Sequence, residues 1–374
     1  MVGAQQIDRV RRRGGACRQV RGPTRIHCGP VNSPPPGNTC MPHGALAAVA
    51  GNGCRGGRCH EPERGSSCPR RTYSPTAADR RWKPSSSRRR PPPGPGKLLV
   101  AVRAAGVNPV DWKLRNGYTR PGSEPPQYPA VFGSEAAGVV EQVGPGVDEF
   151  AVGDAVFGNP LTGGYAEYTL MPVAVTAHKP EGLSFTDAAA LPVAAATAYD
   201  GIRQLDPAPG STLLINGAGG GVGVAAVQLA RHFGVRVIGT ASAAKKDFVE
   251  SLGAVHVPAG PGVVDRVRAV APDGVDAVYD LVGGDALRAV AELLTDRKRL
   301  ISAGGKPLAV ELGGAAVVRA RTAAVLDEVA RLAVSGAFRT YVTQTYPLAE
   351  AATALRAVES GHTRGKIVIE VAAA

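Results

Sequence analysis

One stretch limits the possible folds more than any other: LLINGAGGGVGVAAVQLARHFGVRVIGTASAAKK, residues 213–246. Residues 212–216 form a short apolar run of strand character. Gly217, Gly220 and Gly223 follow at three-residue spacing. Residues 224–233 then place Val224, Val227, Leu229 and Ala230 at helical intervals. Strand, glycine turn and helix in that order read as a Rossmann phosphate-binding turn. The glycines permit a tight turn and close approach of a pyrophosphate. The helix start offers unpaired N–H groups and the positive end of its dipole. A crowded helix–strand contact would also explain glycines alone. The surroundings favour the nucleotide: residues 235–240, 275–279 and 299–303 are further short apolar runs separated by helical segments. That alternation predicts an α/β fold, a doubly wound parallel sheet with helices on both faces.

Upstream, residues 98–102 read as a strand. Short strands then alternate with turn signals at 136–143, 144–146, 153–157 and 163–168. Frequent Gly and Pro between short apolar stretches predict a compact, barrel-like β unit. Near the end, 348–359 is an amphipathic helix and 366–371 a final strand, expected to rejoin that unit.

Charge separates the first quarter from the rest. Residues 1–96 hold 18 Lys/Arg against 4 Asp/Glu, whereas the remainder holds 25 against 27. The formal +12 therefore belongs to the first quarter, and the body gives no electrostatic reason to bind nucleic acid. All six cysteines precede residue 70, without a C-x-x-C pair. Cys54, Cys59 and His60 make a poor zinc set. No apolar run there is long enough for a signal core or a membrane span, so a cytoplasmic chain without membrane contact is expected. Residues 1–94 show no helical or strand periodicity. Three readings of this segment stay open: a disordered solvated tail, a polybasic arm for RNA or anionic lipid, and out-of-frame translation. The third rests on 76–82, where a one-nucleotide shift in a GC-rich gene permits Gly-Gly-Gly-Pro-Glu-Val.

The motifs AAGVNPVDWKLRNG (104–117), PAVFGSEAAGVVEQVG (129–144), VGDAVFG (152–158), GGYAEY (163–168), LPVAAATAYDGI (191–202) and GHTRGKIVIEV (361–371) recur in a fixed order. Together they resemble the medium-chain dehydrogenase/reductase superfamily, and within it the zinc-independent quinone oxidoreductase, or zeta-crystallin-like, branch. The resemblance covers roughly 97–374. It implies a GroES-like β-barrel catalytic domain over 95–198, a Rossmann domain over 199–336 and a return to the catalytic domain over 337–374. It also implies a homodimer, and a strand ending in a Gly-Pro-Glu-Val turn at the start of the family fold.

Zinc members of this superfamily carry a ligand Cys where this chain has Asn108, and a ligand His where it has Ser134. No cysteine follows Cys68. Three protein ligands cannot be assembled from the expected places, so no metal is expected. The implied chemistry is hydride transfer from a reduced nicotinamide to a quinone or an α,β-unsaturated carbonyl. A nucleotide-binding protein with little catalysis is the alternative, as is RNA binding through the arm.

The resemblance points to Asn108 for the acceptor and to Thr197 beside the nicotinamide. Tyr118 is the candidate proton donor, one position from where relatives carry a Tyr. Asp111 reads more readily as a turn or cap residue than as a substrate contact. The cofactor groove is expected to involve Gly217, Gly220, Val222, Gly223, Thr240 and Gly283, with the backbone near Ser302 and Ala303. NAD-preferring Rossmann folds place an acid about 20 residues after the glycine turn. Here Thr240 stands 23 positions after Gly217, and no acid appears before Asp247. NADPH is therefore expected, with Ser242 and Lys246 facing its 2′-phosphate.

Overall fold

The computed structural model describes residues 72–76, 79–85, 92–119 and 128–372. Most of the basic first quarter, with Cys54, Cys59 and His60, lies outside the described residues. Within that quarter β1 (Thr72–Thr76) pairs antiparallel with β2 (Asp79–Ser85). The sequence showed no strand periodicity there. A ribbon joined across a short connection needs only backbone pairing and β-favouring residues, and Thr72, Tyr73, Thr76 and Trp82 are of that kind.

Next come β3 (Lys97–Val107), α1 (Pro109–Arg115), β4 (Ala136–Val143), β5 (Ala155–Gly158), β6 (Tyr168–Pro172) and β7 (Thr176–His178). A short α2 (Phe185–Ala188), a π-helical turn (Leu191–Ala195) and α3 (Ala196–Leu205) lead onward. Strands and helices then alternate: β8 (Thr212–Asn216), α4 (Gly221–His232), β9 (Arg236–Ala241), α5 (Lys246–Ser251), β10 (Val255–Pro258) and α6 (Val263–Val270). The same pattern continues through β11 (Ala277–Asp280), α7 (Gly284–Ala291), β12 (Leu300–Ser302), α8 (Lys306–Glu311), β13 (Ala315–Ala316) and α9 (Ala323–Val334). Finally β14 (Val342–Pro347), α10 (Ala351–Glu359) and β15 (Lys366–Glu370) return to the first unit.

Two sheets result. One is six-stranded and parallel, in the order β10-β9-β8-β11-β12-β13. Alternate residues of its strands point to opposite faces. Leu213, Ile215, Val237, Tyr279 and Ile301 pack with α4 and α9 on one face. Leu214, Ile238, Val278 and Leu300 pack with α6, α7 and α8 on the other. This is the doubly wound α/β sheet that the alternation predicts. The second sheet runs β14-β15-β3-β4-β5-β7, with β6 also on β3. It encloses the GroES-like core of Leu98, Val140, Met171 and Ile367. The largest apolar cluster joins both units, since Ala104, Phe157 and Ala177 pack in it with Leu213 and Val227. Among the described residues no helix is long and apolar enough to cross a membrane.

One predicted strand is corrected. Residues 164–167 bend rather than extend, and the strand begins at Tyr168. Gly163 has φ +87°, and a Cβ there would lie 2.4 Å from the Val131 carbonyl oxygen. The chain turns tightly over 131–135, and Tyr165 is thereby driven into the core.

Candidate active site

The glycine turn lies between β8 and α4. Gly217 has φ +94°, and Gly220 caps α4 without a side-chain hydrogen bond. The first N–H groups of α4 therefore have no intrahelical partner. A Cβ on Gly223 would sit 2.3 Å from the Gly217 carbonyl oxygen, which explains glycine at the closest helix–turn approach. An open backbone cradle at a helix start fits a pyrophosphate.

A polar chain supports this cradle from below. The Thr240 hydroxyl donates to Asn216 Oδ1 at 2.6 Å, and Asn216 Nδ2 donates to Asp280 at 2.7 Å. The Ser302 hydroxyl donates to the same carboxylate, which also accepts from Gly283 N at 3.0 Å. These residues sit at the carboxyl ends of four adjacent strands. Thr240 and Ser302 are buried, with their hydroxyls turned into the sheet. They hold the groove indirectly: Gly217 N donates to Thr240 Oγ1 and Gly305 N to Ser302 Oγ. Ala303 N is tied to the Asp280 carbonyl at 2.9 Å. Val222 is partly buried in the first turn of α4 and packs against the main core.

The lysine over the turn is Lys245, one residue before the one expected. Its Cδ lies 2.7 Å from where a Gly219 Cβ would stand, and its Nζ donates to the Thr363 carbonyl at 2.7 Å. Burial pulls the Lys245 ammonium below the ordinary lysine range, and the neighbouring Arg364 adds to the shift. Lys246 is exposed as the first residue of α5, and Ser242 is exposed just after β9. The sequence placed the strand end at Thr240, but β9 continues to Ala241 and a 3-10 turn spans Ala243–Lys245. That geometry carries Lys245 toward the loop.

In the GroES-like half, Asn108 is buried at the start of α1. Its Nδ2 donates to Glu135 Oε1 at 2.8 Å, and its Oδ1 accepts from Lys366 Nζ at 2.7 Å. Lys366 Nζ also donates to Glu135 Oε1 at 2.7 Å and to the Val107 carbonyl at 3.1 Å. Glu135 Oε2 accepts from Val193 N at 2.7 Å, at the π-helical turn. Asp111 is a cap, as its loop position suggested: it accepts from Asn108 N (2.9 Å), Ser134 Oγ (2.6 Å) and Tyr165 Oη (2.8 Å). Burial raises the Asp111 pKa, against the pull of those hydrogen bonds. Burial, then Asp111, pushes the Tyr165 phenol far above its usual range.

Thr197 lies on α3 just beyond the π turn. Its hydroxyl donates to the Val193 carbonyl and accepts from Arg319 Nη1. Arg319 also pairs with Asp200 at 3.0 Å and donates to the Pro192 carbonyl at 3.0 Å. Burial lowers the Arg319 pKa, and Asp200 opposes the shift. Tyr118 is not drawn into this network: its side chain is exposed, and its phenol has no hydrogen bond among the described residues. Sequence reasoning missed Glu135, Lys366, Lys245 and Arg319. The residues Gly133-Ser134-Glu135 and Gly365-Lys366 stood inside quoted motifs, which was the available signal.

Catalytic zinc does not fit here. An ammonium already occupies Asn108 Oδ1, and the Ser134 hydroxyl is committed to Asp111. Among the described residues, no group of three or more His, Cys, Asp and Glu side chains could hold a metal.

Comparison with known proteins agrees with this architecture. The family described as "Alcohol dehydrogenase GroES-like domain" matches residues 94–181, and "Zinc-binding dehydrogenase" matches residues 252–369. A mycocerosic acid synthase-like polyketide synthase of Mycobacterium tuberculosis is 34% identical over 308 residues, covering 75% of this chain. The chain spans only 14% of that relative's length. The quinone oxidoreductase of Coxiella burnetii superposes with a TM-score of 0.73 at 28% identity, covering 81% of this chain and 99% of that one. An alcohol dehydrogenase superfamily protein of Novosphingobium aromaticivorans gives 0.72 at 31% identity, covering 82% and 100%. A mycobacterial protein solved in complex with NADPH gives 0.70 at 29%, covering 81% and 100%.

Proposed function

We propose, for a chain that belongs to the medium-chain dehydrogenase/reductase superfamily and to its zinc-independent quinone oxidoreductase-like branch, an NADPH-dependent reductase of quinones or α,β-unsaturated carbonyls. One observation carries the reading. The glycine turn and Asn108 are tied together through two consecutive residues, because Gly220 bridges to Gly365 and the next residue, Lys366, binds Asn108.

The reduced nicotinamide, when bound, supplies the hydride. The backbone at Gly217, Gly220 and Gly223, with the N-terminus of α4, would hold its pyrophosphate. Lys245 and Arg364 offer positive charge beside the loop, with no carboxylate among the groups that shift Lys245. They suit a 2′-phosphate, with Ser242 at the same strand end, and this supports NADPH over NADH. Asn108 has one N–H of Nδ2 uncommitted, since Lys366 and Glu135 take the rest of its amide. That N–H is suited to the oxygen on which negative charge develops as a carbonyl accepts hydride. Thr197, just beyond the π turn whose Val193 N holds Glu135, would form the adjacent wall. Residues 92–372 carry all these elements, and the fold family supports a dimer.

The test is consumption of NADPH against a panel of quinones, alkenals and enoyl thioesters, with Asn108→Ala beside wild type. Turnover with at least one class, lowered in the variant, supports the reading. NADPH binding without turnover of any acceptor would leave the non-catalytic binding reading in its place.

A further inference from the structure

We infer that Lys366 and Glu135 are positioning residues that set the orientation of the Asn108 amide, and that they do so from the domain junction. The inference rests on the proposed role of Asn108 toward the acceptor.

The chemistry of the partners allows only one amide orientation. An ammonium can only donate and a carboxylate can only accept. Lys366 Nζ is 2.7 Å from Oδ1, and Glu135 Oε1 is 2.8 Å from Nδ2. Flipping the amide would place N–H against ammonium and carbonyl against carboxylate. Both partners are themselves held. Lys366 and Glu135 are buried and bond each other at 2.7 Å. Glu135 is fixed further by Val193 N, and Lys366 by the Val107 carbonyl. The main chain of Asn108 is pinned through Asp111. Its second Nδ2 hydrogen is the one amide donor left over, so its direction is determined by the whole network.

The Lys366 stem also touches the cofactor half. Its Cδ lies 2.9 Å from where a Cβ on Gly221 would stand, at the first residue of α4. The side chain that aims Asn108 thus runs against the start of the phosphate-binding helix. Acceptor and cofactor sites are held in register by one residue.

A double-mutant cycle tests this. Lys366→Met with Glu135→Gln removes both charges together, so no buried charge is left unpaired. Met keeps the apolar stem against Gly221. Gln keeps an oxygen for Val193 N but turns an N–H₂ toward Asn108, which favours the flipped amide. The expected result is a fall in kcat/KM for the acceptor of at least roughly tenfold, with NADPH Kd within about twofold of wild type. Lys366→Arg, which keeps the donors and the charge, restores part of the loss. In an Asn108→Ala background the paired change has little further effect, because there is no amide left to orient.

Equal losses in both backgrounds would overturn the proposal, since the pair would then act structurally. So would a loss explained by weaker NADPH binding. A readout independent of turnover separates failure of the proposed function: hydrogen exchange of the Asn108 side-chain amide in the full chain. Slow exchange in wild type that becomes fast in the paired variant supports positioning even if no acceptor is reduced. Fast exchange in both would sink it.

Discussion

Gly220 and Gly223 separate folding from binding within one turn. Gly220 has φ −91° and ψ 173°, an extended conformation open to any residue. A Cβ there would meet only the Gly217 carbonyl oxygen, at 3.7 Å, an ordinary contact. Gly220→Ala should therefore cost no more than ~1 kcal/mol of unfolding free energy, the loss of a favourable N-cap residue. The new methyl nevertheless enters the cradle assigned to the pyrophosphate. NADPH affinity should fall at least roughly tenfold, which is about 1.4 kcal/mol. Gly223→Ala differs. Its Cβ would lie 2.3 Å from the Gly217 oxygen and 2.7 Å from Ala218 backbone atoms, where no flexible side chain can yield. Overpacking of that kind costs ~1–3 kcal/mol, so stability and binding should fall together. Urea denaturation and NADPH fluorescence titration on the same preparations give both numbers. Unchanged affinity in Gly220→Ala would remove the pyrophosphate from this turn. Unchanged stability in Gly223→Ala would refute the packing argument.

Three further outcomes are expected. Lys245→Glu should lower the NADPH/NADH ratio of catalytic efficiency at least roughly tenfold, one charge-assisted contact being worth ~1.5–3 kcal/mol; Lys246→Glu should change it far less, and equal effects would contradict the placement of Lys245. NADPH preference should decline as pH rises through the lowered Lys245 pKa, because the ammonium that binds phosphate is lost below the ordinary lysine range. The phosphate itself stays ionised above about pH 6, so its own titration does not interfere, and Lys245→Arg should flatten the decline. Asp200→Ala should destabilise the fold by ~3–5 kcal/mol by stranding the Arg319 guanidinium, while Asp200→Leu with Arg319→Met should cost clearly less; calorimetric or urea unfolding checks this, and equal costs would refute it.

Local patterns were readable in advance. The glycine turn is one: its spacing, the strand before it and the helix after it lie within a single stretch of chain. The parallel sheet followed from alternation, although β10 and the two-residue β13 carry too little signal to be seen. What the sequence hid depends on distance or rotation. Lys366 and Asn108 are 258 positions apart, and only closure of β15 onto β3 brings them together. Arg319 reaches Thr197 across 122 positions. Thr240 and Ser302 lie at the carboxyl ends of their strands, but strand pleat turns their hydroxyls inward, toward Asn216 and Asp280. Lys245 rather than Lys246 lies over the glycine turn, where β9 runs one residue further than expected. Asp111, by contrast, was legible as a cap because its three-residue offset from Asn108 is local.

The most direct test of the central claim is steady-state NADPH oxidation by the full chain after exhaustive treatment with a strong chelator, using the best acceptor from the panel. Turnover should be unchanged by metal removal, with NADPH favoured over NADH. Activity that is lost on chelation and restored specifically by zinc, or a preference for NADH, would contradict it.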